Sequence, residues 1–130
     1  MRLGIHFNLN QELRYIQDTY FPDVQASIRW GKDSGPRKKK RRSMRMGSWD
    51  EEKRLIRIHP VLDQEWVPKE YLHYLIYHEL CHSVERPRYS RWGNQIHHAE
   101  FHALENQYPN VKQMRKLGRQ LFERIIAEGL

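Results

Sequence analysis

The chemistry this chain can do centres on His78-Glu79-Leu80-Cys81-His82. On a helix, residues four apart lie one turn apart on the same face, so His78 and His82 could both reach one metal ion. Glu79, one position round from His78, could address a water at that ion without ligating it. A catalytic zinc commonly takes three protein ligands and leaves one position for water. The ion lowers the pKa of that water, and a neighbouring carboxylate can take its proton as a peptide carbonyl is attacked. The pattern therefore reads as one zinc per chain, with His78 and His82 as ligands and Glu79 as general base. The competing reading is a solvated helix face on which two histidines coincide. Leu72, Ile76, Leu80 and Val84 weigh against it, because they give the same segment an apolar face.

A third ligand must come from elsewhere. Cys81 is the only cysteine, so neither an internal disulfide nor a cysteine-based zinc site can form. Beyond His82 the chain offers His97, His98, Glu100, His102 and Glu105. Helical spacing places His98, His102 and Glu105 on one face and His97 and Glu100 on another, and does not choose among them. The spacing of His6, His59 and His73 argues for no function, and Cys81 reads as a small packing residue. Tyr89, Arg91 and Tyr108 flank the region and are candidates to stabilise a tetrahedral intermediate.

The surrounding elements can be read from periodicity. Leu9, Leu13, Ile16 and Tyr20 recur at helical spacing, Asn8 with Gln11 resembles a capping box, and Pro22 closes the segment. Residues 24–30 alternate apolar and polar as a half-buried strand does. Met44, Met46 and Ser48 alternating with Arg45 and Gly47 predict a second strand, 50–53 a polar turn, and 54–59 a third strand. Pro68 opens a long helix that runs to about residue 86, where Pro87 stops it. The spacing predicts a loop over 88–95, a helix over 96–107, and a last amphipathic helix carrying Val111, Met114, Leu117, Leu121 and Ile125. Strands segregated from helices predict an α+β fold, a small three-stranded sheet packed against helices.

From His78 to His82, a fifteen-residue step to His97 and then His97-His98-Ala99-Glu100-Phe101, the chain resembles the SprT-like (Spartan-type) metallopeptidase domain. That family carries HExxH and, on the next helix, a segment of the form H-G-P-E-F whose first histidine is the third zinc ligand. The resemblance spans roughly residues 5–104 and is strongest from Leu55 onward. It implies a zincin-like fold, zinc held by His78, His82 and His97, and hydrolysis of peptide bonds. His98 and Ala99 replace the family's Gly-Pro. That leaves His98, Glu100 and His102 as alternative ligands or groups that support the ligands. No cysteine-rich zinc ribbon follows, so the resemblance is to a minimal catalytic domain.

Composition bounds the rest. A chain of 130 residues suits a single domain over 1–130 with one modest core, and four Trp and seven Tyr supply bulk for it. No apolar run approaches the ~20 residues that span a bilayer, and the first ten residues lack the apolar core of a signal peptide. The expectation is a cytoplasmic protein (nuclear in a eukaryote) with no membrane partner. The formal net charge of +7 is local. Seven basic residues lie between 36 and 45, and the other 16 match the 16 acids. Arg37, Lys38, Lys39, Lys40, Arg41 and Arg42 form a loop that could contact nucleic-acid phosphates without reading sequence. The larger members of the resembled family act on proteins at DNA, which agrees with such a loop. The expected partners are thus a protein or peptide substrate and, through this loop, DNA or another nucleic acid. The rival functions are a nucleic-acid-binding module with a structural metal site and, lower, a metal-dependent nuclease. Casein and single-stranded nucleic acid as alternative substrates separate them.

Overall fold

The computed structural model describes residues 6–32, 44–91 and 93–130, with the backbone alone at 88–90 and 94. The tract Arg37, Lys38, Lys39, Lys40, Arg41 and Arg42 lies outside the described residues, as do Trp92 and the Tyr89 side chain.

Helix α1, Leu9–Tyr20, starts where the sequence predicts: the Asn8 side chain accepts the Gln11 N–H at 3.2 Å. It buries Leu9, Leu13 and Ile16. Three strands follow, β1 (Ser27–Trp30), β2 (Gly47–Asp50) and β3 (Leu55–Ile58), in the spatial order β1-β3-β2. β3 pairs in parallel with β1 (Ile28 opposite Ile56) and antiparallel with β2 (Gly47 opposite Ile58). Its Leu55, Ile56 and Ile58 are buried. The β2–β3 turn closes on Asp50, whose carboxylate accepts the Lys53 N–H at 3.0 Å, and Arg54 takes φ +49°.

A 3-10 turn, Pro60–Leu62, leads to α2, Lys69–Val84, and Pro68 stands just before its first turn. α2 is the centre of the molecule, packed against α1, β2 and β3. Ten of its 16 residues are buried, so it is covered nearly all round rather than along one stripe. Val84, expected on the apolar face, is exposed at the far end.

The stretch expected as a loop is a small antiparallel hairpin, β4 (Arg88–Ser90) and β5 (Gly93–Gln95). Gly93, at φ +124°, supplies a backbone conformation that other residues rarely adopt. The next helix is shorter than predicted. α3 covers Ala99–Glu105, because His98 keeps extended backbone and caps it, its side chain receiving the Phe101 N–H. His97 therefore stands before the helix, not in it. α4, Val111–Ala127, packs on α2 and buries Leu121 and Ile125. A close contact permits this packing: a Cβ at Gly118 would sit 2.9 Å from the Tyr71 hydroxyl. The buried apolar residues of α1, the sheet, α2, α3 and α4 form one cluster. The architecture is α+β, a three-stranded sheet with four α-helices among the described residues.

Candidate metal centre

Two elements build the site. α2 presents His78 and His82 one turn apart, and the segment between β5 and α3 brings in His97. Ligating nitrogens of His78, His82 and His97 lie within 4.8 Å of one another. His82 Nε2 and His97 Nε2 are 3.2 Å apart. Zinc–nitrogen bonds of ~2.1 Å in a tetrahedral shell put neighbouring nitrogens about 3.4 Å apart, so this spacing fits one ion. Under the three rings lies Phe101, wholly buried, with its ring centroid 5.2, 4.5 and 4.7 Å from those of His78, His82 and His97. Phe101 is thus the apolar floor that fixes how closely the imidazoles stand.

Two of the donors are held in the protonation state that ligation needs. His82 is held well below the ordinary histidine value, at about 3, first by burial and then by the neighbouring His78 and His97. His97 is lowered for the same leading reason. Both are therefore neutral at pH 7, as a metal ligand must be. His78 donates its Nδ1–H to the Glu105 carboxylate, which leaves Nε2 as the nitrogen that would ligate a metal. Glu105 is itself buried and held by the Arg115 guanidinium at 2.6 Å and the Tyr74 hydroxyl at 3.3 Å. Burial alone would raise its carboxyl, but the hydrogen bonds and charges of His78 and Arg115 outweigh that and bring it down to about 2.

Glu79 is buried beside the cluster, its carboxylate 4.0 Å from His82 Nε2. Burial raises its carboxyl above the ordinary value, against smaller lowering effects from His78 and Arg45. Strand β2 presses against it: a Cβ at Gly47 would stand 3.2 Å from Glu79 Oε2 and 3.3 Å from Leu75 Cγ. A glycine here lets the strand approach the carboxylate closely.

The other sequence candidates go elsewhere. His98 turns inward, its Nε2 donating to the Arg86 carbonyl at 2.9 Å and its Nδ1 receiving the Phe101 N–H. Both ring nitrogens are engaged, and the ring stands outside the three-histidine group. Glu100 is exposed, with its carboxylate 3.0 Å from His98 Nδ1. His102 is exposed, its ring 6.2 Å from that of His97. Tyr108 packs among Tyr20, Tyr74 and Tyr77. Arg91 is exposed on the hairpin turn. Sequence reasoning gave Glu105 no role beside His78, although it shares a helical face with His98 and His102. Tyr71 and Tyr74, which line the cleft, were also missed; their spacing of seven and four residues from His78 places them on the same side of α2.

The cleft holds about 510 Å³ and runs past Gly47, Leu75, His78, Glu79 and His97. The strand beside it is β2. β3 offers a substrate no free edge, because β1 and β2 occupy both of its sides. The outer edge of β2 carries no partner strand among the described residues.

This fold has solved counterparts. The metallopeptidase zymogen abylysin of Pyrococcus abyssi superposes with a TM-score of 0.62 at 14% identity, over 91% of this chain and 95% of that one. The metallopeptidase zymogen jannalysin of Methanocaldococcus jannaschii superposes with a TM-score of 0.58 at 16% identity, over 92% of this chain and 98% of that one. At these identities the likeness is one of fold, and it extends along nearly the whole of each chain. No family model matches the sequence, and no curated protein does.

Proposed function

We propose that this chain is a zinc metallopeptidase of the SprT-like type, hydrolysing peptide bonds at the cleft between α2 and β2. The observation that carries the reading is the convergence of three imidazoles on one point beside a buried carboxylate. The fold it shares with two metallopeptidase zymogens agrees with it. His78, His82 and His97 would hold the metal, and zinc, when bound there, supplies an acidified water and polarises a carbonyl.

The chain's own residues do the rest. Glu79, with its proton affinity raised by burial, accepts the proton of the attacking water and returns it to the leaving amine. Glu105 keeps His78 in one tautomer and orientation. The outer edge of β2 receives an extended substrate by main-chain hydrogen bonds, which makes sequence preference loose at most positions. The tyrosines along α2 form the wall opposite β2. Tyr71 has its hydroxyl proton secured by burial, with a pKa pushed up to about 12, so it remains a hydrogen-bond donor at neutral pH.

The test is metal content by plasma mass spectrometry beside casein hydrolysis, for wild type, His97→Ala and Glu79→Gln. One zinc per chain and activity are expected in the wild type, loss of zinc in His97→Ala, and zinc without activity in Glu79→Gln. Zinc retained by His97→Ala would move the third ligand elsewhere. Nucleic acid cleaved in place of casein would replace the peptidase reading.

A further inference from the structure

The segment Arg45–Gly47 separates two hollows. On one side is the cleft of about 510 Å³ that holds His78, Glu79 and His97. On the other is a recess of about 170 Å³ whose lining includes Lys32, Arg45, Ser48, Arg57 and His59. Arg45 lines both. Among the described residues the recess lining contains no Asp or Glu. Arg57 is matched by Asp50 at 3.4 Å. Arg45 is exposed and makes no ion pair among the described residues. Its charge is nonetheless felt inside the site, by Glu79, His82 and His97. A cation that faces the cleft without a counter-charge among the described residues is positioned to meet one brought by a ligand.

The register fixes where. Gly47 abuts Glu79, and Arg45 lies two residues earlier on the same run. Two residues of extended chain cover about 7 Å, so a peptide laid along β2 carries the group that meets Arg45 about two residues from the bond held over Glu79. We infer that Arg45, backed by Lys32, receives a substrate carboxylate within about two residues of the scissile bond. That carboxylate is either an Asp or Glu side chain or the C-terminal carboxylate of a short peptide. The inference rests on the peptidase reading and names the substrate class. Arginine suits the task because its planar fork can bind a carboxylate through two parallel hydrogen bonds.

Binding rather than turnover tests it. Zinc-loaded Glu79→Gln protein is titrated at low salt with fluorescein-labelled eight-residue peptides. Each carries one Glu, walked along the sequence, and each is paired with its Gln twin, with the C-terminus either free or amidated. At one position, or with the free terminus alone, the carboxylate form should bind about tenfold tighter, as expected for a charge-assisted pair partly open to solvent. Position against terminus then tells the two sources apart. The preference should persist in Arg45→Lys, vanish in Arg45→Gln and reverse toward a Lys peptide in Arg45→Glu. Equal affinity for Glu and Gln peptides at every position and for both termini, no binding of any peptide, or a preference that survives Arg45→Gln would overturn the proposal. Casein cleavage by the wild type without a carboxylate preference leaves the peptidase standing and removes only Arg45. A carboxylate preference without cleavage of any peptide does the reverse.

Discussion

Replacing Glu105 by Gln tests the idea that a carboxylate on α3 governs the metal site. The native side chain is 3% exposed and serves three donors: His78 Nδ1–H, the Arg115 guanidinium at 2.6 Å and the Tyr74 hydroxyl at 3.3 Å. The amide keeps the shape but has one oxygen to offer. Its nitrogen must then face either Arg115 or His78, donor against donor. Facing His78, it favours the tautomer with the proton on Nε2, where a metal would bind. Losing a carboxylate that supports a ligating histidine typically weakens metal affinity 10- to 100-fold, or about 1.4–2.7 kcal/mol. The mismatch at Arg115 adds a stability loss of about 1–3 kcal/mol even without metal. Chelator competition measures the zinc dissociation constant, and urea denaturation of the zinc-free protein measures the second effect. A weaker zinc complex is expected in Glu105→Gln, with a smaller change in Arg115→Gln, where Glu105 remains to hold His78. A folded Glu105→Gln protein whose zinc affinity lies within twofold of wild type would refute the reasoning. It would make Glu105 a purely structural buried group.

Two further expectations come from the structure and a third from the sequence. In the zinc-free protein His82 titrates at about 3 when folded, against 6.5 for an ordinary histidine, so the unfolded chain binds more protons between these values. Its contribution to stability is present above pH 6.5 and is lost as pH falls toward 3. Urea midpoints from pH 7 to 4.5 should therefore drop less steeply in His82→Asn than in wild type, and equal slopes would contradict the assignment; Glu79, raised by burial, acts with the opposite sign but is common to both. Gly118→Ala should destabilise the fold by about 1 kcal/mol, because crowding against Tyr71 exceeds the ~1 kcal/mol that alanine gains in a helix, and a more stable variant would disprove the close α2–α4 contact. We also propose that the tract Arg37, Lys38, Lys39, Lys40, Arg41 and Arg42 binds nucleic acid. Neutralising all six to Gln should weaken salt-dependent binding of single-stranded DNA, and unchanged affinity would discard the idea.

Much of the fold was legible because local signals agreed with it. Asn8 and Gln11 marked the start of α1, the alternation through Ile28 and Trp30 marked β1, and Pro68 marked the approach to α2. Adjacent histidines at 97 and 98 hid the next boundary. Periodicity carries a helix back through Ile96, whereas the structure begins it at Ala99, because the His98 ring accepts the Phe101 N–H in the way a serine or aspartate cap would. That cap takes His98 away from the metal group and leaves His97 before the helix, aimed at His82. The hairpin over Arg88–Gln95 was hidden because Gly93 and Asn94 signal a turn but the strands on either side are three residues long. The central place of β3 was hidden too. Sheet order depends on long-range pairing, and nothing in Leu55–Ile58 itself says that it has a neighbour on each side. Glu105 escaped for a similar reason. Its role depends on Arg115, ten residues away on α4, as well as on His78.

The two carboxylates of the site show how environment displaces one residue type in opposite directions. Glu105 is buried, yet its charge is matched by Arg115 and its oxygens are occupied by donors, so it stays ionised down to about pH 2. Glu79 is buried to a similar degree, 4% exposed against 3%, but no Arg or Lys hydrogen-bonds to it among the described residues. Its carboxyl is accordingly displaced upward. A group meant to hold a histidine in place must never take up a proton, and one meant to take a proton from water must have some appetite for it. Opposite displacements of neighbouring carboxyls are how environment separates such roles. The asymmetry has a structural source. α4 reaches Glu105 through Arg115, whereas Glu79 faces the edge of β2, where Gly47 offers no side chain and leaves the carboxylate open only to the cleft. A cation hydrogen-bonded to Glu79 would stabilise its charge and remove the proton affinity that the proposed reaction needs. The burial of Glu79 without a hydrogen-bonded Arg or Lys among the described residues is a cost in stability that the proposed reaction would explain, and it lies next to the two elements, α2 and β2, that would grip the substrate in that reading.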